Sequence, residues 1–521
     1  MLVSVQSGAV LGIDAYPVDV EVDLAAGLQV FHIVGLPDGA VRESRLRVPA
    51  AVENAGFEFP REKLTVNLAP ADIRKDGTGF DLPIAIGVLA AMHYLPQVKL
   101  GPTQAWALSD VVFIGELSLT GELRPIRGAL PITAMAMESG AKCVVLPSQN
   151  AAEAALVPGV EVYGLKTLGD VVRLLGGKPG FEPTVAQLDD SAASAPVDFA
   201  DVAGHGQAKR ALEIAAAGGH NILLVGPPGS GKSMLARRLP TILPPMEFDE
   251  AIQTTKVFSV TGMNRDGLVR NRPFRAPHHT ISDVGLIGGG SGVPRPGEVS
   301  LAHNGVLFLD ELPEYRRSTL EALRQPLEDG FVTVTRSLVS VKYPCEVMLV
   351  AAMNPCPCGY FGNARVRRCT CTAEQVRNYR GRISGPMLDR IDMHVEVPTV
   401  DYDALRTRGD DSSAQIATRV QAARARQHAR LGLARVNASM SPAERRTHCQ
   451  LDAEGHAWMR DMVERLGLSG RAHERVLRVA RTIADLDESP DISASHVAEA
   501  LGLRSLDRST QPARASHPQA H

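Results

Sequence analysis

The sequence predicts an α/β chain organised around a phosphate-binding P-loop core. Two motifs and one pattern carry that expectation. Gly226, Pro227, Pro228, Gly229, Ser230, Gly231, Lys232 and Ser233 match G-x-x-x-x-G-K-[ST], between a strand-like run, Asn221–Val225, and a helical run, Met234–Leu239. A second apolar run, Val306–Leu309, ends in Asp310 and Glu311, which puts two carboxylates at the carboxyl edge of a strand. Within residues 1–181, strand-like runs such as Val18–Val22 and Val144–Leu146 mix with helical stretches such as Leu82–Ala91.

Each element of the core has a chemical reason. Glycines let backbone N–H groups turn toward phosphate, and the helix that follows adds positive potential at its N-terminus. Lys232 is placed to reach the β- and γ-phosphates of ATP. Ser233 and Asp310 are placed to hold Mg²⁺, Asp310 through water. Glu311 is placed to polarise the attacking water, because in-line displacement needs an oriented nucleophile. A third strand, Val347–Met353, ends at the polar Asn354.

Length and composition bound the rest. A chain of 521 residues predicts about three domains. Hydrophobic residues at 44% and charged residues at 22% suit a soluble globular protein. The formal net charge of −3 means that any nucleic-acid contact must use a local patch. No apolar run reaches membrane-spanning length, and the N-terminus lacks a basic region followed by an apolar core; a cytoplasmic protein without membrane contact is expected. The expected units are 1–181, a small polar linker at 182–197, the phosphate-loop unit at 198–400, a helical unit at 401–507 and a disordered tail at 508–521. In the helical unit, Trp458, Met462 and Leu466, then Val476, Ala480, Ile483 and Ala484, recur at helical spacing and read as core stripes.

Cys356-Pro-Cys358 and Cys369-Thr-Cys371 form two C-x-C pairs separated by ten residues. Four thiolates can close a tetrahedral Zn²⁺ site; four reduced, non-ligating cysteines are the alternative. Cys143, Cys345 and Cys449 are isolated and read as ordinary thiols. Arg365, Arg367, Arg368, Arg377, Arg380 and Arg382 crowd the same region against one acid, Glu374, with Tyr360, Phe361 and Tyr379 interleaved. That patch suits a DNA backbone, or a solvated or subunit-pairing face. Phe331–Arg336 and Val339–Tyr343 alternate about Ser337-Leu338 and predict a β-hairpin that carries Arg336 and Lys342, two further candidates for DNA contact. His278 and His279 lack further ligand spacing and read as loop residues.

The order of these motifs from Gly226 to Arg471 resembles AAA+ ATPases. That resemblance assigns Asn354 as the sensor 1 residue that orients water. It makes Arg390, in Met387-Leu-Asp-Arg-Ile-Asp392, an arginine finger for a neighbouring subunit, and Arg471, in Ser469-Gly-Arg-Ala472, a sensor 2 contact. Insertions containing Phe274–Asp283 and Gly288–Gly292, together with the hairpin, resemble the magnesium-chelatase-like branch, whose core carries a helical lid and whose hairpins project toward a ring pore. The phrases FRAPHHTISDVGLIGGG, MNPCPCGYFG and GRISGPMLDRIDMHVEVP resemble the ComM/YifB family within that branch, over residues 1 to 506. Residues 64–91 and 111–147, above all Ile114–Ile126, resemble the Lon protease domain. Gly79-Phe80-Asp81 stands at the expected serine and Ala129-Leu130 at the expected lysine, so the resemblance implies the fold without peptidase chemistry. The family implies a ring-forming, hexameric, ATP- and Mg²⁺-dependent motor on single-stranded or branched DNA. Its work would be helicase activity and branch migration in homologous recombination, including integration of transforming DNA. A magnesium-chelatase-like ATPase that remodels a protein partner is the alternative.

Overall fold

The computed structural model of the chain describes residues 1–95, 99–100, 104–105, 107–186, 197–264, 267–290, 294–336, 339–362, 367–400, 411–466, 469–504 and 506. Arg365, the Ser337-Leu338 turn, most of the linker and the tail lie outside them, as do the side chains of Arg336, Met462 and Leu466.

The amino-terminal strands are β1 (Leu2–Leu11), β2 (Asp14–Ala25), β3 (Val30–Val34), β4 (Lys63–Ala69), β5 (Val111–Phe113), β6 (Cys143–Pro147) and β7 (Glu161–Leu165). They form a seven-stranded mixed sheet in the order β7-β6-β5-β1-β2-β4-β3. Strands β1 and β2 make a long antiparallel hairpin, Leu2 opposite Asp23 through Leu11 opposite Asp14. Along β2, Val18, Val20 and Val22 are buried alternately, the period of a strand with one face in the core. Helix Asp81–Ala91 is buried at every position and lies on that face. A side chain at Gly87 would come within 2.5 Å of Val22, so glycine sets the close approach of helix to sheet.

The second sheet is built from β8 (Ile222–Val225), β9 (Phe274–Arg275), β10 (Val306–Leu309), β13 (Met348–Met353) and β14 (Met393–Glu396), with the hairpin β11 (Phe331–Arg336) and β12 (Val339–Pro344) between β10 and β13. The order is β9-β10-β13-β8-β14, and every pairing is parallel. All residues of β8, β10 and β13 are buried, as parallel strands covered on both faces must be. Ile222 and Leu224 face one core, shared with the carboxyl-terminal helices; Leu223 and Val225 face the other, shared with the hairpin. The two sheets meet at the β1–β2 turn: Gly12 packs on Val341, and Leu11 and Ile13 join the hairpin's core.

The longer carboxyl-terminal helices are Ser413–Leu431, Ala453–Leu466, Gly470–Leu486 and Ala494–Gly502, with the short Pro442–His448 between the first two. Ser469 caps the third by accepting from the Ala472 amide, and Val476, Ala480, Ile483 and Ala484 are buried as the spacing predicts. Within the predicted stripe of Trp458, Met462 and Leu466, the position of Trp458 is corrected. Trp458 is 43% exposed, and Met459, one position on, enters the core. Helix orientation was set by the neighbouring helix, and one residue of rotation moves a side chain by about 100°.

Candidate active site

The carboxyl edge of the central sheet gathers the phosphate-loop residues. A Cβ at Gly226 would lie 2.2 Å from the Val397 carbonyl, so only glycine lets the chain leave β8 there. Gly229 and Gly231 take φ of +75° and +82°, left-handed values that turn the loop. Lys232 is buried at the start of helix Lys232–Arg238. Its Nζ donates to the carbonyls of Gly226 (2.8 Å) and Pro227 (2.9 Å) and to Asn354 Oδ1 (3.3 Å). Burial lowers its pKa, against the attraction of Asp310 and Glu311. Ser233 Oγ donates to Asp310 Oδ2 at 2.6 Å, which presents two hard oxygens side by side, the donor set a divalent cation prefers. Ser230 Oγ is buried without a protein partner inside the same loop, and such an orphan donor suits an anionic ligand.

Glu311 follows Asp310 with φ +52°, a left-handed value on a non-glycine residue, which costs on the order of 1–3 kcal/mol. Its side chain is 56% exposed, and Oε2 lies 3.2 Å from His279 Nδ1. His279 in turn stands edge-on to Tyr315, whose hydroxyl donates to the Pro277 carbonyl at 2.6 Å. His279 is therefore a site residue that the sequence reading placed in a loop. The available signal was its position: the chain leaves edge strand β9 beside β10, so residues just after Arg275 emerge next to the Asp-Glu pair.

Arg390 and Arg471 lie elsewhere. Asn221 precedes β8, at the amino edge of the sheet, and its Nδ2 donates to the Arg390 carbonyl at 2.9 Å. The Arg390 guanidinium pairs with Glu328 and donates to the Pro386 carbonyl (3.0 Å). Arg471 Nη1 is 3.5 Å from Asp389 Oδ2, so the two arginines flank one short loop. Between the helical unit and this edge runs a cavity of about 830 Å³ lined by Arg272, Arg390, Arg435, Arg471, Arg475 and Arg478. At its floor Asp392 is buried. It accepts from the Asn221 amide (3.1 Å) and faces His220 (3.6 Å), Arg475 (3.7 Å) and Arg478 (3.9 Å). Burial works against its charge, but His220 and the two arginines outweigh it and hold the carboxyl far below its usual range.

The four cysteines converge. Cys356 Sγ lies 3.3 Å from Cys358 and 3.7 Å from Cys369, Cys358 lies 3.5 Å from Cys369, and Cys371 completes a group whose sulfurs all fall within 4.8 Å. A tetrahedron with Zn–S of about 2.3 Å has sulfur–sulfur edges of roughly 3.8 Å, so the cluster fits the ion. The Phe361 amide donates to Cys356 Sγ at 3.3 Å. Of the basic candidates, Arg367 and Arg368 are exposed on the cysteine loop, Arg367 5.5 Å over the Tyr360 ring, and Lys342 stands 3.7 Å over Phe331 on the hairpin. At the degenerate peptidase positions, Gly79 faces Ile114 and Leu130 is buried. The cavity there, about 400 Å³, is lined from the second unit by Arg295 and Tyr343, among others.

A parallel sheet with a phosphate loop at its carboxyl edge, a paired Ser233–Asp310 and a helical unit beside it define a P-loop nucleotide-binding protein of the AAA+ class. Comparison with known proteins narrows this. The family model described as "Magnesium chelatase, subunit ChlI" matches residues 198–405. "Subunit ChlI of Mg-chelatase" matches 20–150, and "Magnesium chelatase, subunit ChlI C-terminal" matches 410–504. The chain is 43% identical over 512 residues to the YifB protein of Salmonella typhimurium, covering 97% of this chain and 98% of that one. It is 43% identical over 520 residues to the competence protein ComM of Haemophilus influenzae, covering 98% and 99%. A shorter match, 32% over 105 residues, relates 20% of the chain to 17% of Lon protease 2 of Bacillus subtilis, in keeping with the Lon-like character of the amino-terminal unit. The chain belongs to the ComM/YifB family of magnesium-chelatase-like AAA+ proteins.

Proposed function

We propose that this protein is an ATP hydrolase that works as a ring motor on DNA. One observation carries the ring: the residues expected at one nucleotide are divided between opposite edges of the sheet. Lys232, Ser233, Asp310, Glu311 and Asn354 gather at the carboxyl edge, while Arg390 and Arg471 stand at the amino edge. A second copy docked edge to edge would bring its Arg390 and Arg471 to the first copy's phosphates. A heterologous contact of that kind gives a ring where its rotation closes, and a hexamer is the size proposed. Lys232 and the loop amides would bind ATP, and Ser233 and Asp310 would hold Mg²⁺, which supplies charge neutralisation on the phosphates. Glu311, turned by its strained backbone and held by His279, would orient water, with Asn354 beside it. The four cysteines would hold Zn²⁺.

The DNA assignment is supported by the Haemophilus relative's name as a competence protein and by the exposed Arg367, Arg368 and Lys342. On that basis the motor acts in homologous recombination, including uptake-linked integration of DNA, by helicase action and branch migration. ATPase turnover measured with single-stranded, duplex and four-way-junction DNA tests it. Stimulation by branched or single-stranded DNA supports a DNA motor. Turnover indifferent to all three would refute it and favour the alternative, a magnesium-chelatase-like ATPase that remodels a protein partner; all three family models carry magnesium-chelatase descriptions.

A further inference from the structure

The cysteine cluster touches the phosphate loop. Gly359, in the turn between the two cysteine pairs, has φ +87°, and a Cβ there would lie 2.5 Å from Pro228 Cδ and 2.8 Å from Pro228 Cγ. The turn therefore packs directly against Pro228 of the phosphate loop, with its backbone closed by the Gly359 amide donating to the Cys356 carbonyl at 3.0 Å. Two residues before Cys356, Asn354 accepts from Lys232 Nζ. The segment from Asn354 to Gly359 thus grips the loop at two points, Lys232 at one end and Pro228 at the other. Arg380 braces its outer side: Nε donates to the Pro355 carbonyl at 3.1 Å, and the guanidinium stands 5.3 Å over the Phe361 ring.

Cys369 and Cys371 reach the cluster from the far end of the intervening loop, just before helix Ala373–Arg380. Arg380 over Phe361 and Arg367 over the Tyr360 ring already bring the two ends together, and the sulfurs are where a metal would bond them. A metal on all four thiolates would cross-link them and hold the Cys356–Gly359 turn in its present shape. Four free thiols in the same volume would leave the turn with the conformational freedom that a cross-link removes.

We infer that the cysteine centre is a zinc clamp on the phosphate loop, so that zinc occupancy sets the affinity for ATP. The inference rests on the zinc assignment proposed above and assigns that metal a role at the nucleotide site.

The test uses the full chain and two measurements, zinc per chain by elemental analysis and the Kd for a fluorescent ATP analogue. Gly359→Ala keeps all four thiols but forces the turn and Pro228 about 1 Å apart, and displacements of that size can cost up to about a hundredfold in rate at an active site. The expected result is about one zinc per chain in both wild type and Gly359→Ala. Analogue binding should weaken at least about tenfold in Gly359→Ala and in wild type stripped by a chelator, and return when zinc is restored. Zinc present with Kd unchanged in Gly359→Ala overturns the clamp and leaves the zinc site standing. Wild type without zinc overturns the zinc assignment and the clamp with it. Should stripped protein lose its circular-dichroism spectrum, Gly359→Ala decides alone.

Discussion

The proposed division of the nucleotide site between two copies can be tested by mixing two inactive variants. Asn221, bonded to the Arg390 carbonyl, and Gly226 bracket β8, five residue steps apart. At about 3.3 Å per residue that is roughly 16 Å, the full depth of the sheet. The Arg390 side chain also runs to Glu328 and Pro386, on its own edge. Arg390 is therefore held at the edge opposite its own phosphate loop. In the proposed ring, Lys232→Ala would remove the cis half of every site it carries, and Arg390→Ala would remove the trans half it offers its neighbour. An arginine finger is worth about 10³–10⁵ in kcat, so each variant alone should be nearly silent. In a random equal mixture, half the sites keep Lys232 and half the neighbours keep Arg390. About a quarter of interfaces then have both, and phosphate release should approach about a quarter of wild type. Turnover no greater than the sum of the separate variants at every ratio would refute a trans role for Arg390. So would Arg390→Ala alone turning over within about tenfold of wild type.

Glu311→Gln should retain ATP while turnover drops at least about a hundredfold, the usual share of a general base; single-turnover quench measurements check it, and normal hydrolysis would exclude Glu311. His279→Ala should lower kcat about tenfold with KM for ATP unchanged, because it frees the Glu311 carboxylate without touching the phosphate loop; an unchanged kcat would make the 3.2 Å contact incidental. Asp392→Asn should cost about 3–5 kcal/mol in urea unfolding, because Arg475 and Arg478 lose a buried counter-charge. Its carboxyl is depressed in the folded chain, so its contribution is full above the unfolded carboxyl pKa of about 3.9 and is lost as pH falls through that value toward the folded one. Wild type and Asp392→Asn should therefore converge in acid and differ at neutral pH; a gap that widens in acid would contradict the depressed pKa.

Much of this was legible in one dimension. The phosphate loop, its flanking strand and helix, the strand that ends in Asp310-Glu311 and the hairpin at 331–344 each appear where their local patterns place them. Their signals are short-range: glycines at fixed offsets, a period of two, or an apolar run ended by carboxylates. The two cysteine pairs were legible for the same reason, since ligand spacing is local even though the sulfurs converge from opposite ends of a loop. The stripe at Trp458 misled, because several faces of that helix carry apolar residues and only its neighbour chooses among them.

The sequence by itself determined that this chain folds a P-loop unit beside a Lon-like unit, and which residues could meet a nucleotide. Tertiary structure alone decided which of them meet each other. It put His279 against Glu311, set Gly359 on Pro228, and turned Arg390 and Arg471 away from their own phosphate loop. The first kind of fact follows from backbone geometry over a few residues. The second follows from strand order, since β9 lies beside β10 and β8 lies between β13 and β14 only once the parallel sheet has closed its buried faces.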